Sequence, residues 1–174
     1  MAELWQEIGV VVVRRRLSGP WGGHEFLPGA ILPEPAAVPP WTRLRAEAEA
    51  EGESFYAGAV ALGFHAGETG HYRDNLESPR PQIWVQMRPT IGPDGDERID
   101  LVAATVDPYE AEAMADNGSD VLAAFAMPAT IAGQLREFFA AHHVERVFFK
   151  RERKRADPES MGRRSRVGTA PDED

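Results

Sequence analysis

Residues 68–78 (ETGHYRDNLES) bring carboxylates, hydroxyls, an imidazole, a phenol, a guanidinium and an amide into one short stretch. Such groups could grip a partner, hold an anion or move a proton, and long polar connections on a rigid scaffold are common places for a site. The same Thr, Asn and Asp also suit a structured loop in which they satisfy backbone groups, and that plainer framework is expected here. His65-x-x-Glu68-x-x-His71 has metal-ligand residue types. Residues three apart face opposite ways on a strand, and Gly67 and Gly70 weaken a helix, so no metal is expected. Asp94, Asp96 and Asp100 lack the spacing and closing Glu of a calcium loop.

Nucleophilic and phosphate-loop chemistry finds little support. There is no G-x-S-x-G elbow, no G-x-x-x-x-G-K-[ST] and no G-x-G-x-x-G. Gly19-Pro20-Trp21-Gly22-Gly23-His24 reads as a turn between strands, with an anion nest flanked by Arg14, Arg15 and Arg16 as the sharper reading. Trp21 and Trp41 each follow a proline. Both are expected to cover the edge of the core; exposed together, they would make an aromatic contact surface. The block Lys150-Arg151-Glu152-Arg153-Lys154-Arg155 carries net +4. It reads as a solvated run, or as an arm that steers toward an acidic partner. No stacking aromatics are interleaved past Phe149, so nucleic acid is not the expected partner.

Composition narrows the classes. Net charge is -9, and the 8 basic and 6 acidic residues of 150–174 leave 11 basic and 22 acidic over 1–149, net -11. The 174 residues contain no cysteine. Disulfides, thiolate metal sites and thiol nucleophiles are therefore excluded. No stretch approaches the roughly 20 apolar residues of a membrane span. The N-terminus has acids before its arginines and a short apolar run, the wrong order for a secretory signal, so a cytoplasmic location is expected.

These groups must be held by a framework. Ile8 to Val13 is apolar on both alternating faces and predicts a buried strand. Phe26 to Leu32 predicts a second strand, interrupted at Pro28-Gly29, and Pro33 to Trp41 a stiff extended connection. Ala46 to Glu53 (AEAEAEGE) predicts a loop ending at Gly52. From Phe55 alternation places Tyr56, Val60, Leu62 and Phe64 on one face, opposite Ala57, Ala59, Ala61 and Gly63, where another element can approach closely. Gln82–Arg88 and Ile99–Val106 predict an antiparallel hairpin turned at Gly92-Pro93-Asp94-Gly95. Asp107-Pro108-Tyr109-Glu110 predicts a capped helix to about Asp116. Val121 to Met127 predicts the last strand. A helix opened by Pro128 would carry Ile131, Leu135, Phe138 and His142 on one stripe, with His142 and His143 as cations in its last turn. The expected fold is α+β: a mainly antiparallel or small barrel-like sheet, two C-terminal helices and a disordered basic tail. Residues 1–150 would form one domain and 151–174 the tail.

Several stretches in order carry a family resemblance: Gly9-Val10-Val11-Val12 before the arginines, Pro20-Trp21-x-x-His24, Pro40-Trp41, and Glu68-Thr69-x-x-Tyr72-x-x-Asn75-Leu76-Glu77-Ser78. Trp84-Val85-x-x-Arg88-Pro89, Pro108-Tyr109-Glu110-Ala111, Met127-Pro128 and His142-His143-Val144-Glu145 running to Phe149-Lys150-Arg151 complete it. Over about residues 8–155 the chain resembles a bacterial family of domains of unknown function. The genes of that family tend to neighbour molybdenum-dependent formate dehydrogenases, and some members are labelled molybdopterin-guanine dinucleotide biosynthesis protein A. A guanylyltransferase would need a Gly-rich loop with a lysine, and the only lysines here are Lys150 and Lys154.

The resemblance therefore implies a non-catalytic accessory or maturation role with no cofactor of its own. The expected partner is a formate dehydrogenase subunit or assembly factor. Trp21, His24, Trp41, Glu68, Thr69, Tyr72, Asn75, Lys150, Arg151 and Arg153 are the expected contact residues. The alternative is a binder of, or enzyme acting on, a pterin or nucleotide cofactor, with His24, His65, His71 and Arg14–Arg16 as its polar contacts.

Overall fold

The computed structural model describes residues 1–44, 52–116 and 118–145. The chain runs β1 (Glu3–Arg16), β2 (His24–Leu32), β3 (Thr42–Arg43), β4 (Glu53–His65), α1 (Thr69–Glu77), β5 (Gln82–Ile91), β6 (Glu97–Thr105), α2 (Pro108–Ala115), β7 (Val121–Ala126) and α3 (Ala129–His142). A 3-10 turn at Ala66–Glu68 leads into α1.

The strands form one sheet in the order β2-β1-β4-β6-β5-β7, with β3 paired to β4. The two edges, β2 and β7, approach one another, so the sheet curls into a nearly closed barrel. It is mixed where a mainly antiparallel sheet is expected, because β4 and β6 run parallel, with Leu62 opposite Ala104. The cause is α1. It carries the chain from β4 past one vacant position to β5, and the β5–β6 hairpin then folds back into the gap. A parallel neighbour needs such a crossover element.

β1 is buried on both faces from Ile8 to Val12, as its unbroken apolar run requires. Ile8, Val10 and Val12 face the core with Leu62, Phe64, Ile83, Val85, Met87, Ile99 and Phe125. On the other face the proline-rich connection lies across the sheet: the backbone N–H of Ala36 donates to the Tyr56 hydroxyl at 3.2 Å. A β-bulge between Val10 and Val11 sets Gly58 at φ 134, a conformation that suits a residue without a Cβ. The small-residue face of β4 is approached closely at Gly63, where a Cβ would meet the Trp5 ring at less than 3 Å, 2.7 Å at the nearest atom.

The hairpin turn at Gly92–Gly95 closes as expected, with Gly92 N–H donating to Asp96 O and Gly95 N–H to Gly92 O. Asp107 caps α2, its side chain accepting from the backbone N–H groups of Tyr109 and Glu110. The reciprocal half of the capping box is relayed: the Asp107 N–H donates to Thr105 Oγ1, and that hydroxyl donates to Glu110 Oε2. In α3, Ile131, Leu135 and Phe138 are buried on the expected stripe. Two of the three helices are thus the expected C-terminal pair; α1 is additional, in a stretch expected to be a loop. The charged tail from residue 151, with Arg151 and Arg153, and Lys150 beside it lie outside the described residues. No helix among the described residues is long and apolar enough to cross a membrane.

Candidate functional site

The expected contact residues divide between the two ends of the 14-residue β1. At its C-terminal end the turn into β2 carries Trp21, which is 96% exposed. His24 follows, with Nδ1 2.7 Å from Glu97 Oε2. Trp41 turns inward instead. Its ring sits 6.0 Å from Phe26 and 5.4 Å from Phe55, and the Arg98 guanidinium lies 5.6 Å from its centroid. Its backbone is left-handed, φ 67, which is unusual for a bulky residue. The closed aromatic packing and the Trp41 N–H bond to Tyr56 O hold it there. Trp41 thus covers the core edge as expected, while Trp21 does not.

Between β2 and the β5–β6 hairpin at this end lies a cavity of about 520 Å³. Phe26, Pro89, Ile91, Ile99 and Val121 supply its apolar walls, and His24, Glu97 and Arg98 its polar rim. Ile91 is 64% exposed, and Val121 is also exposed. Most of the charges here are already matched, the exposed Arg16 apart among the described residues. Arg14 reaches Glu53 at 3.0 Å and Asp96 at 3.4 Å while stacking 4.7 Å from the Phe55 centroid. That hydrogen bond from Arg14 holds the Glu53 carboxyl below its ordinary value of 4.5, with Arg43 adding to the effect. Arg98 pairs with Asp94. Only Arg14 Nε is left buried without a partner among the described residues.

The 68–78 segment lies at the other end, where β4 finishes against the start of β1; Ala66 N–H donates to Ala2 O. Here α1 presents a helical face at Thr69, Tyr72 and Asn75, all buried. Asn75 Nδ2 donates to Gln82 O and to Val106 O, both at 2.8 Å, and Asn75 Oδ1 accepts from Gln82 N at 2.9 Å. Three bonds to backbone make this amide the bolt between α1, β5 and the end of β6. The Tyr72 hydroxyl accepts from His65 N at 2.9 Å and donates to Glu68 Oε2 at 3.1 Å. Burial of the phenol, with the Glu68 charge beside it, pushes its pKa up. Thr69, Tyr72 and Asn75 therefore hold α1 on the barrel and present no contact surface of their own.

The exposed side of α1 faces α3 across a second cavity, of about 500 Å³. His71, Arg73, His142, His143 and Glu145 line it. His71 Nδ1 donates to Asp107 Oδ2 at 2.7 Å, since a carboxylate can only accept. An Arg73 N–H donates to His143 Nε2 at 2.7 Å, which leaves the His143 Nδ1–H to donate to Thr69 Oγ1 at 3.2 Å. The Thr69 hydroxyl in turn donates to Ala66 O at 3.2 Å. This chain of bonds fixes one tautomer of His143 and aims Arg73.

Arg73 is not among the expected contact residues, and His142 and His143 are expected only as part of the helix stripe and as helix-end cations. Phe26, Ile91 and Val121 carry no signal in the sequence that marks them as cavity walls. His142-His143 was a visible signal, but its partners arrive from α1, some 70 residues earlier. His65, Glu68 and His71 each take a different partner: Glu3, Tyr72 and Asp107. Among the described residues no three His, Asp or Glu side chains form a group that could hold a metal. His24 and Arg14–Arg16 stand at one end of β1, His65 and His71 at the other, so they do not gather around one ligand.

No curated protein and no solved structure matches the chain. A family model, DUF3305, described as a protein of unknown function, matches residues 7–154. With most of its length so matched, the chain belongs to the DUF3305 family.

Proposed function

We propose that this protein is a non-catalytic accessory protein that binds a subunit or assembly factor of a molybdenum-dependent formate dehydrogenase during its maturation. The observation that carries the binding reading is the apolar cavity at the same end of the barrel as the exposed Trp21, with exposed Ile91 and Val121 on its walls and a polar rim of His24, Glu97 and Arg98. An apolar centre with a polar rim and aromatic anchors is the anatomy of a protein interface. Covering Trp21 would remove about 150–250 Å² from water, on the order of 4–6 kcal/mol before ordering costs. The identity of the partner rests on the resemblance, one of whose motifs, Pro20-Trp21-x-x-His24, forms the turn and rim at this cavity. A chain without cysteine cannot hand over sulfur as a persulfide or offer thiolate ligands, which leaves shape, charge and apolar contact as its means.

The test is made in a host that carries this gene beside a formate dehydrogenase. Deletion should lower the yield of active, molybdenum-loaded enzyme, and Trp21→Ala with Ile91→Asp should lose co-purification of the partner while keeping the fold. An unchanged yield of active enzyme in the deletion strain would overturn the reading.

A further inference from the structure

We propose that the cavity between α1 and α3 is a binding site for the phosphate group of a small molecule, with Arg73 as its principal ligand. Four observations meet there. First, three of the five histidines of the chain and an arginine line one cavity, in a body whose residues 1–149 carry net -11. A guanidinium set among imidazole rings in an acidic body needs a local reason, and an anionic ligand supplies one.

Second, Arg73 is aimed before any ligand arrives. Its guanidinium lies 5.8 Å from the Phe139 centroid and donates one N–H to His143 Nε2. Among the described residues its remaining N–H groups have no hydrogen-bond partner. A planar fork held in place loses little freedom on taking up a phosphate. His71 is also positioned: Nδ1 is committed to Asp107, so Nε2 is the nitrogen left to face a ligand, accepting from a phosphate hydroxyl or, when the ring is protonated, donating to a phosphate oxygen.

Third, the carboxylate that meets Arg73 is a loose one. Glu145 approaches Arg73 only to 3.6 Å, and its side chain is 81% exposed. An exposed pair of that kind contributes little, so a phosphate can displace it. Glu145 occupies the place an anionic ligand would take. Fourth, there is room. A cavity of about 500 Å³ falls in the range of small-molecule sites, and the backbone at Gly70 is open, with nothing within 4 Å of where a Cβ would stand. A phosphate alone would leave most of that volume empty, so a phosphate ester fits better than the free ion. The site lies at the opposite end of β1 from Trp21 and does not depend on the partner proposed above.

The experiment is a titration of the full chain, followed by the NMR signals of the His71 and His143 rings, with ionic strength held by chloride. Inorganic phosphate and ribose 5-phosphate are the two probes. Both should shift the signals saturably, with ribose 5-phosphate binding tighter. Arg73→Gln should weaken binding at least tenfold, and Arg73→Lys less than that, since an ammonium keeps the charge but loses the fork. His71→Asn should weaken it about threefold. Glu145→Gln should tighten binding two- to threefold by removing the internal competitor, an effect that a merely structural Arg73–Glu145 pair would not produce. Arg43→Gln, at the other end, should change nothing. Absence of a saturable shift with either probe, or equal affinity in wild type, Arg73→Gln and His71→Asn, would overturn the proposal.

Discussion

The two ends of the barrel both hold arginine, histidine and carboxylates, yet they use them differently. At the Trp21 end Arg14 is only 11% exposed and bridges Glu53 and Asp96, His24 meets Glu97, and Arg98 meets Asp94. These charges are spent on joining strands, and apolar Trp21 and Ile91 are left exposed beside them. At the α1–α3 end the buried work is done by neutral groups, Asn75 and Tyr72, and the cavity keeps Arg73, His71 and His143 on its lining, beside exposed apolar Val144. The lesson is that residue type alone does not mark a site. A cation already matched by a close carboxylate is a clamp, and one matched loosely in an open cavity is available.

The largest expected effect tests the neutral bolt. Asn75→Ala leaves Gln82 N, Gln82 O and Val106 O without partners and should cost about 3 kcal/mol, read as a lower urea midpoint. A cost near zero would mean that α1 is held by its exposed face, and the contrast between the ends would fail.

Next comes the direct comparison of two arginines. Arg14→Met leaves Asp96 unpaired and Glu53 with only the exposed Arg43, and should cost about 2 kcal/mol. Arg73→Met, at a side chain that is 39% exposed, should cost under about 0.5 kcal/mol. Equal costs would break the distinction between clamp and ligand.

A smaller effect is expected at Gly63, against the Trp5 ring. Gly63→Ala forces that half-exposed indole to shift, at about 1 kcal/mol, with a change in tryptophan fluorescence.

The smallest concerns pH. The folded Glu53 carboxyl lies below its ordinary value of 4.5, so its stabilisation is present above about pH 4.5 and is lost as pH falls through the folded value. Glu53→Gln should flatten the fall in stability below pH 4.5, modestly, because Glu53 is itself partly exposed.

Much of the framework was legible in the sequence. Period-two alternation placed Ile83, Val85 and Met87 inward, the Gly92–Gly95 turn fixed the hairpin, and Asp107-Pro108 started α2. α1 was not legible, because the face it buries is Thr69, Tyr72 and Asn75, at helical spacing but mostly polar. A hydrophobicity pattern cannot register a helix whose anchor is an amide bonded to distant backbone. The same blind spot hid the parallel pairing of β4 with β6, which depends on that crossover.

By itself the sequence determined the chemistry that is excluded and the local elements: no thiol, no nucleotide loop, strands with an apolar inner face, and the capped α2. These follow from residue type and from periods of two or 3.6, which act over a few neighbours. Which polar groups are spent and which are left over was decided only by the tertiary structure. That depends on partners far along the chain, as when Asp96 reaches Arg14 across 82 residues or His143 reaches Arg73 across 70, and no local pattern encodes such a meeting.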